Sequence, residues 1–267
     1  MSADKGILGG KFFQYIDELL GRIRKTIILF IVLFFILFLI GPVSFRFYGL
    51  RLYYPFPSFF HSFSVMLLQL MERDLVPPKM ILINVAPFDV VVSVVYVSLA
   101  VSISLIIPIL VFQFIKFAEP ALYEREKKIA TYSIVPTILL FLLGALFSLV
   151  VVIPLLFRVI YTFAQDIGVL PTIGILQFVS IVVLITAGMG AIFETPVIVF
   201  SLSYAGVVPP SLWFKHWRYA IIGAFFVALL ISPGATGGIM ETTIALIILT
   251  LYFSGALLAR WAVKRKK

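Results

Sequence analysis

A chain of 267 residues that is 62% hydrophobic and only 12% charged carries more apolar surface than one water-soluble core can hide, so lipid must be part of its solvent. The formal charge is +9, but the lysines and arginines sit between and beside apolar runs, where they report topology and anionic headgroups, and nucleic acid is not an expected partner. With no cysteine, disulfides, thiol catalysis and thiolate metal sites are excluded.

Met1 to Lys25 lacks the apolar core of a cleavable signal peptide, and none is expected. Six apolar stretches follow: Thr26–Val43, Val90–Ile115, Ile129–Leu156, Leu176–Ala205, Tyr219–Ile231 and Ile239–Ala259. None alternates with the period of two that a barrel strand needs, and each is apolar around its circumference, so six transmembrane helices are predicted. The expected fold class is an all-α integral membrane protein, and residues 1–267 are read as a single polytopic membrane domain without room for a soluble one. Pro108, Pro136, Pro154 and Pro196 fall inside these stretches and predict kinks, because neighbouring helices in lipid re-satisfy the freed carbonyls.

Between the first two stretches lies a long connection, Ser44 to Asp89, with an aromatic and proline cluster at Tyr53 to Pro57. Phe59 to Met71 predicts a short amphipathic helix, either lying in the interface or buried as a cap on the protein. Phe157 to Ile175 reads as a second loop on the same side. The fifth stretch is short: 13 residues make about 20 Å of helix against a hydrocarbon core of about 30 Å. Either Trp217, Arg218 and Tyr219 lie within the membrane boundary, or the bilayer thins there, or the boundary is misplaced.

Orientation follows from the cations. With six spans, Lys5, Lys11, Arg22, Arg24, Lys25, Lys116, Arg125, Lys127, Lys128, Lys215, Arg218, Arg260 and Lys264 to Lys267 share one side, sixteen in all. The other side holds five: Arg46, Arg51, Arg73, Lys79 and Arg158. The positive-inside rule puts the first set, and both termini, in the cytoplasm of a multi-pass protein of the cell (inner or plasma) membrane.

Chemistry for catalysis is sparse. The two histidines, His61 and His216, fall on opposite faces, and no HExxH, GxSxG or Walker A pattern occurs. No catalytic residue, metal or cofactor is expected. Glu194 is the sharpest polar feature. It lies eleven residues before Ala205, about 16 Å from the cytoplasmic end of its helix and close to mid-bilayer. An ionised carboxylate there costs roughly 2.5–3.5 kcal/mol, so it must face protein, hold a polar partner or be protonated. One reading is a hydrogen bond within the chain; the other is docking of a polar residue on a partner's helix. Glu241, near the outer end of the last stretch, is read as hydrated and without an assigned role.

Three blocks carry a family resemblance. Phe117-Ala-Glu-Pro120-Ala-Leu122-Tyr123-Glu-Arg-Glu126, Phe193-Glu194-Thr-Pro196, and Arg218-Tyr219 through Gly223 to Ser232-Pro233 resemble, in order, spacing and span placement, the TatC family of twin-arginine translocase subunits. The family's opening His-Leu-x-Glu-Leu-Arg-x-Arg is only partly kept, as Tyr15-Ile-Asp-Glu18-Leu-Leu-Gly-Arg22, and Gly234 to Gly238 replaces its Pro-Asp turn. The resemblance implies a cytoplasmic-face receptor for twin-arginine signal peptides on folded cargo. It would work with TatA/TatB-type single-span membrane proteins, self-associate, contact membrane lipids and draw on the proton-motive force.

Matched residue by residue, it implies signal-peptide binding by Glu18 and Glu126, with Phe117 packing the peptide, and partner-helix docking at Glu194. Two adjacent guanidiniums suit such carboxylates, because bidentate, charge-assisted bonds strengthen at a partly desolvated interface. Plainer readings stand beside these: Glu18 has Arg22 four residues on, worth about 0.2–0.5 kcal/mol, and Glu126 can be a solvated loop acid. Pro120 joins the structural prolines, and a kink at Pro196 would help open a concave face. A proton- or ion-coupled small-molecule transporter built on Glu194 is the alternative, though no internal repeat supports it.

Overall fold

The structure is a computed structural model that describes residues 3–47, 50–118, 124–232, 234 and 236–264; the side chains of 3–19, 43–47, 50–53, 108, 111, 112, 114–118, 124–133 and 205 lie outside that description. The chain opens with one long helix, α1 (Ala3–Leu39), polar in its first half and apolar in its second. It ends four residues before the expected limit of the first stretch. Gly41 and Pro42 account for this: proline cannot donate to a helix carbonyl and biases the residue before it toward extended backbone. Ile40 to Val43 therefore start β1 (Ile40–Phe47), which pairs antiparallel with β2 (Leu50–Pro57) from Ile40 opposite Pro57 to Phe47 opposite Leu50. Sequence patterning had read Ile40 to Val43 as the end of the first span and Ser44 to Pro57 as loop.

After a 3₁₀ turn at Phe59–His61, α2 (Phe63–Leu75) is capped by Ser62, whose Oγ accepts from the Val65 N–H at 3.4 Å. Its two faces separate the alternatives left open above. Ser64, Leu68 and Leu75 are buried against the protein, while Phe63, Met66 and Leu70 are exposed apolar side chains. The short strand β3 (Ile81–Ile83) leads to α3 (Asp89–Ala118).

The third stretch is longer than expected. Helix α4 (Glu124–Phe147), a π-turn (Ser148–Val152) and α5 (Ile153–Ile167) run without a break, with Pro136 inside α4 and Pro154 in the first turn of α5. Phe157, expected at the start of a loop, is fully buried in this helix, and its ring meets Phe178 at 5.4 Å. Ile153, Leu156, Phe157, Ile160, Tyr161 and Ala164 recur at helical spacing, so α5 has an apolar face that continues past Arg158. Gly168 ends it in the left-handed region (φ 77°).

Strand β4 (Thr172–Gly174) pairs parallel with β3, tying the connection before α3 to the one before α6 (Ile175–Phe193). The chain turns at Glu194 and resumes as α7 (Thr195–Ala205), then α8 (Pro210–Lys215), α9 (Trp217–Ile231) and α10 (Ile239–Lys264). Among the described residues, four segments are long and apolar enough to cross a membrane: Asp89–Ile107, Ile134–Ile167, Ile175–Tyr204 and Ile239–Lys264. Trp217–Ile231 is a shorter apolar helix. Its 15 residues reach about 22 Å, so it takes in Trp217 and Arg218 and still falls short of the hydrocarbon core.

Two devices hold the helices together, both suited to a medium in which apolar surface alone gives no drive to associate. The first is small residues. Gly144 on α4 sits where a Cβ would come 2.6 Å from the Met189 carbonyl oxygen, and Ala224, Ala228, Ala256 and Ala259 are buried. The second is hydroxyl contacts between helices. Thr26 Oγ1 donates to Gln113 Oε1 (2.7 Å) between α1 and α3, Ser98 Oγ to Ser64 Oγ (2.7 Å) between α3 and α2, and Ser148 Oγ to Thr186 Oγ1 (3.0 Å) between the π-turn and α6. Val152, Ile153, Leu156 and Phe157 share a deeply buried core with Phe178, Val179, Val182 and Ile185.

Candidate functional site

Glu194 occupies the break between α6 and α7. Pro196 has no N–H to return to the helix ladder, so the turn at Glu194 tightens. The Glu194 N–H reaches the Ala191 carbonyl at 3.2 Å, and helix resumes when the Ile198 N–H bonds to the Glu194 carbonyl at 3.0 Å. The carboxyl group is half-buried against α4, beside the Thr137 side chain and the Phe141 backbone. Its Oε1 is one of two buried side-chain polar atoms without a hydrogen-bond partner among the described residues; Ser102 Oγ is the other. A carboxyl oxygen left unmatched inside an apolar bundle is an uncompensated acceptor.

Next to it, the Phe193 ring packs on Phe147 at 5.5 Å, and both line a cavity of about 400 Å³ with Thr243, Leu246, Ile247, Thr250 and Leu251 of α10. The hydroxyls of Thr243 and Thr250 bond back to the Ile239 and Leu246 carbonyls, which leaves the cavity wall mostly apolar.

The candidates expected on the inner face lie on three helices. Glu18 is in α1, eight residues before Thr26; Phe117 is in the last turn of α3, four after Gln113; Glu126 is in the first turn of α4. The Thr26–Gln113 bond clamps α1 to α3 as antiparallel neighbours, so Glu18 and Phe117 lie beyond it at the same end of the pair. The side chains of all three, and Pro120 altogether, fall outside the described residues, as does the side chain of Pro108 in α3.

Glu241 departs from its expected setting. It is 6% exposed, not hydrated, and accepts from Ser232 Oγ at 2.7 Å and Thr236 Oγ1 at 2.9 Å. The carboxylate thereby closes the turn between α9 and α10. The signal available in the sequence was the pair of hydroxyl residues five and nine positions upstream of the acid. At the other end of α9, Trp213 Nε1 donates to Ser203 Oγ (2.7 Å) and Tyr252 Oη to the Trp213 carbonyl (2.9 Å), which fastens α8 to α7 and α10. Of the histidines, His61 lies beside Ser58 and His216 contacts the Leu212 carbonyl; no metal-holding group of acidic or histidine side chains occurs among the described residues.

Comparison with known proteins adds to this geometry. The family of Sec-independent protein translocase proteins (TatC) matches residues 14–258. A TatC protein of Cenarchaeum symbiosum is 27% identical over 96% of this chain and 97% of its own length, and one of Aquifex aeolicus is 31% identical over 71% and 78%. Among solved structures, a crystal structure of the twin-arginine translocase receptor TatC superposes with a TM-score of 0.73 at 26% identity, covering 93% of this chain and 99% of that one. With the family match spanning the helices from α1 to α10, this chain belongs to the TatC family, helical membrane proteins of the Sec-independent, twin-arginine protein translocase.

Proposed function

We propose that this translocase subunit is the receptor for twin-arginine signal peptides, and that Glu18 and Glu126 take the paired guanidiniums while Phe117 packs the apolar part of the peptide. The domain is a single six-span unit in the cell membrane with both termini in the cytoplasm, which puts these residues on the side where precursors arrive. Glu194 docks a polar residue on the transmembrane helix of a TatA/TatB-type single-span protein. Folded cargo then crosses at the expense of the proton-motive force, in a complex that includes further copies of the chain and bound lipid. The family match over residues 14–258 carries this reading, and it does not favour the transporter alternative built on Glu194.

Support at residue level comes from chemistry. A guanidinium offers a planar fork that an ammonium lacks, so a carboxylate pair discriminates arginine from lysine by geometry as well as charge. The unmatched Glu194 Oε1 is what a docking acceptor needs.

Site-specific photocrosslinking tests the proposal. Probes at Glu18, Phe117 and Glu126 should capture a twin-arginine precursor, and a probe at Glu194 a co-expressed single-span protein. Absence of precursor adducts from all three inner positions would overturn the receptor assignment, as would accessibility labelling that puts Glu126 outside.

A further inference from the structure

A cavity of about 520 Å³ opens at the end of the helices remote from Glu18 and Glu126, between α2 and α5, and no step of the translocation reading uses it. Its charged lining is Arg73 and Asp74 from α2 and Arg158 from α5; Pro77, Pro78 and Pro154 form much of the rest. Arg73 is held in place by its neighbour: Nε donates to Asp74 Oδ1 at 2.7 Å and Nη2 to Oδ2 at 3.3 Å. Arg158 is exposed and has no ion pair or side-chain hydrogen bond among the described residues. Tyr161, which also lines the cavity, accepts from Gln165 Nε2 at 2.6 Å, and its own hydroxyl proton is left for another acceptor. Two guanidiniums against one carboxylate leave the site one positive charge in excess, and its donors are of the kind that bind a phosphate oxygen.

The position of Arg158 on its helix identifies the source of that phosphate. Across the bundle the Phe157 ring meets Phe178, three residues into the fourth span, which begins near Ile175. Arg158, the next residue, therefore lies about a turn of helix from the start of that span, at headgroup level. Two turns below it, Val150 and Val151 are 65% and 44% exposed, which in this medium is surface for acyl chains. We propose that Arg158, with Arg73 and Tyr161, binds the phosphodiester headgroup of a membrane phospholipid whose chains run down over Val150 and Val151.

The test uses the full-length protein purified in detergent and titrated with dioleoylphosphatidylglycerol, retained lipid being counted by native mass spectrometry. Arg158→Gln should weaken retention by about tenfold or more, the loss of one charge-assisted interaction. Arg260→Gln removes the same charge near the end of α10, outside the cavity, and should bind as wild type does. A melting curve for each variant separates lost binding from lost fold, and Arg158→Lys, which keeps the charge without the fork, should fall in between. Equal lipid retention by wild type and a folded Arg158→Gln variant overturns the proposal. A second arm with inorganic phosphate alone distinguishes the sources: stabilisation by phosphate equal to that by the lipid would remove the lipid assignment.

Discussion

Gly255 of α10 lies directly on Pro196 of α7: a Cβ at position 255 would come 2.7 Å from the Pro196 Cα and 3.1 Å from its carbonyl oxygen. The proline that interrupts the fourth span is thus also a packing surface, and the last span reaches it only because a side chain is missing. Gly255→Val should cost about 1–3 kcal/mol through overpacking, read as a shift in the denaturation midpoint in mixed detergent–SDS micelles. Gly223→Ala is the control, since nothing lies within 4 Å of the Cβ it adds. If both variants unfold alike, the close approach contributes nothing.

The buried turn acid gives a second prediction. Glu241→Ala leaves the Ser232 and Thr236 hydroxyls without their acceptor and should destabilise the α9–α10 turn by about 1–3 kcal/mol. Glu241→Gln keeps one carbonyl acceptor and should lose less. The same denaturation series checks the order; a glutamine variant no better than alanine would show that charge, not acceptance, matters.

Glu194→Gln preserves volume and changes the acceptor set. If Glu194 docks a polar side chain of a partner helix, loss of the charged interaction should cost about 1.5–3 kcal/mol, or about tenfold or more in partner affinity, with the fold intact. Export rate and co-purification of the single-span protein are the readouts. Export at the normal rate would strip Glu194 of both charge-dependent docking and proton coupling.

Glu18→Ala and Glu126→Ala should each weaken capture of a twin-arginine peptide, and a twin-lysine peptide should bind less well than twin-arginine to the wild type. Equilibrium binding of labelled peptides decides it. Equal affinity for both peptides would remove the bidentate argument.

The fully exposed Arg73–Asp74 pair predicts a small pH effect. The hydrogen bond from Arg73 holds the Asp74 carboxyl below its ordinary value. A carboxyl depressed in the folded state adds stability above its unfolded value, near about 3.9, and loses it as pH falls through the folded one. Exposure screens the pair. Asp74→Asn should therefore melt with the wild type at pH 7, and any difference that exists at neutral pH should vanish in strong acid.

Reading residues in order was enough for the lipid-embedded class, the position of most spans, the break at Glu194-Thr-Pro196 and the three blocks that match TatC. Each depends on composition, hydropathy over about 20 residues, or a local backbone rule, and such properties reside in neighbouring residues. Fold alone revealed the hairpin from Ile40 to Pro57, the parallel pairing of Ile81–Ile83 with Thr172–Gly174 and the burial of Glu241. These arise where segments distant in the chain, or a turn folding back on its own helix, supply the hydrogen-bond partners and the covering surface. Local patterning carries no record of which distant segment returns to cover a polar group, so whether Glu241 is wet was settled only by packing.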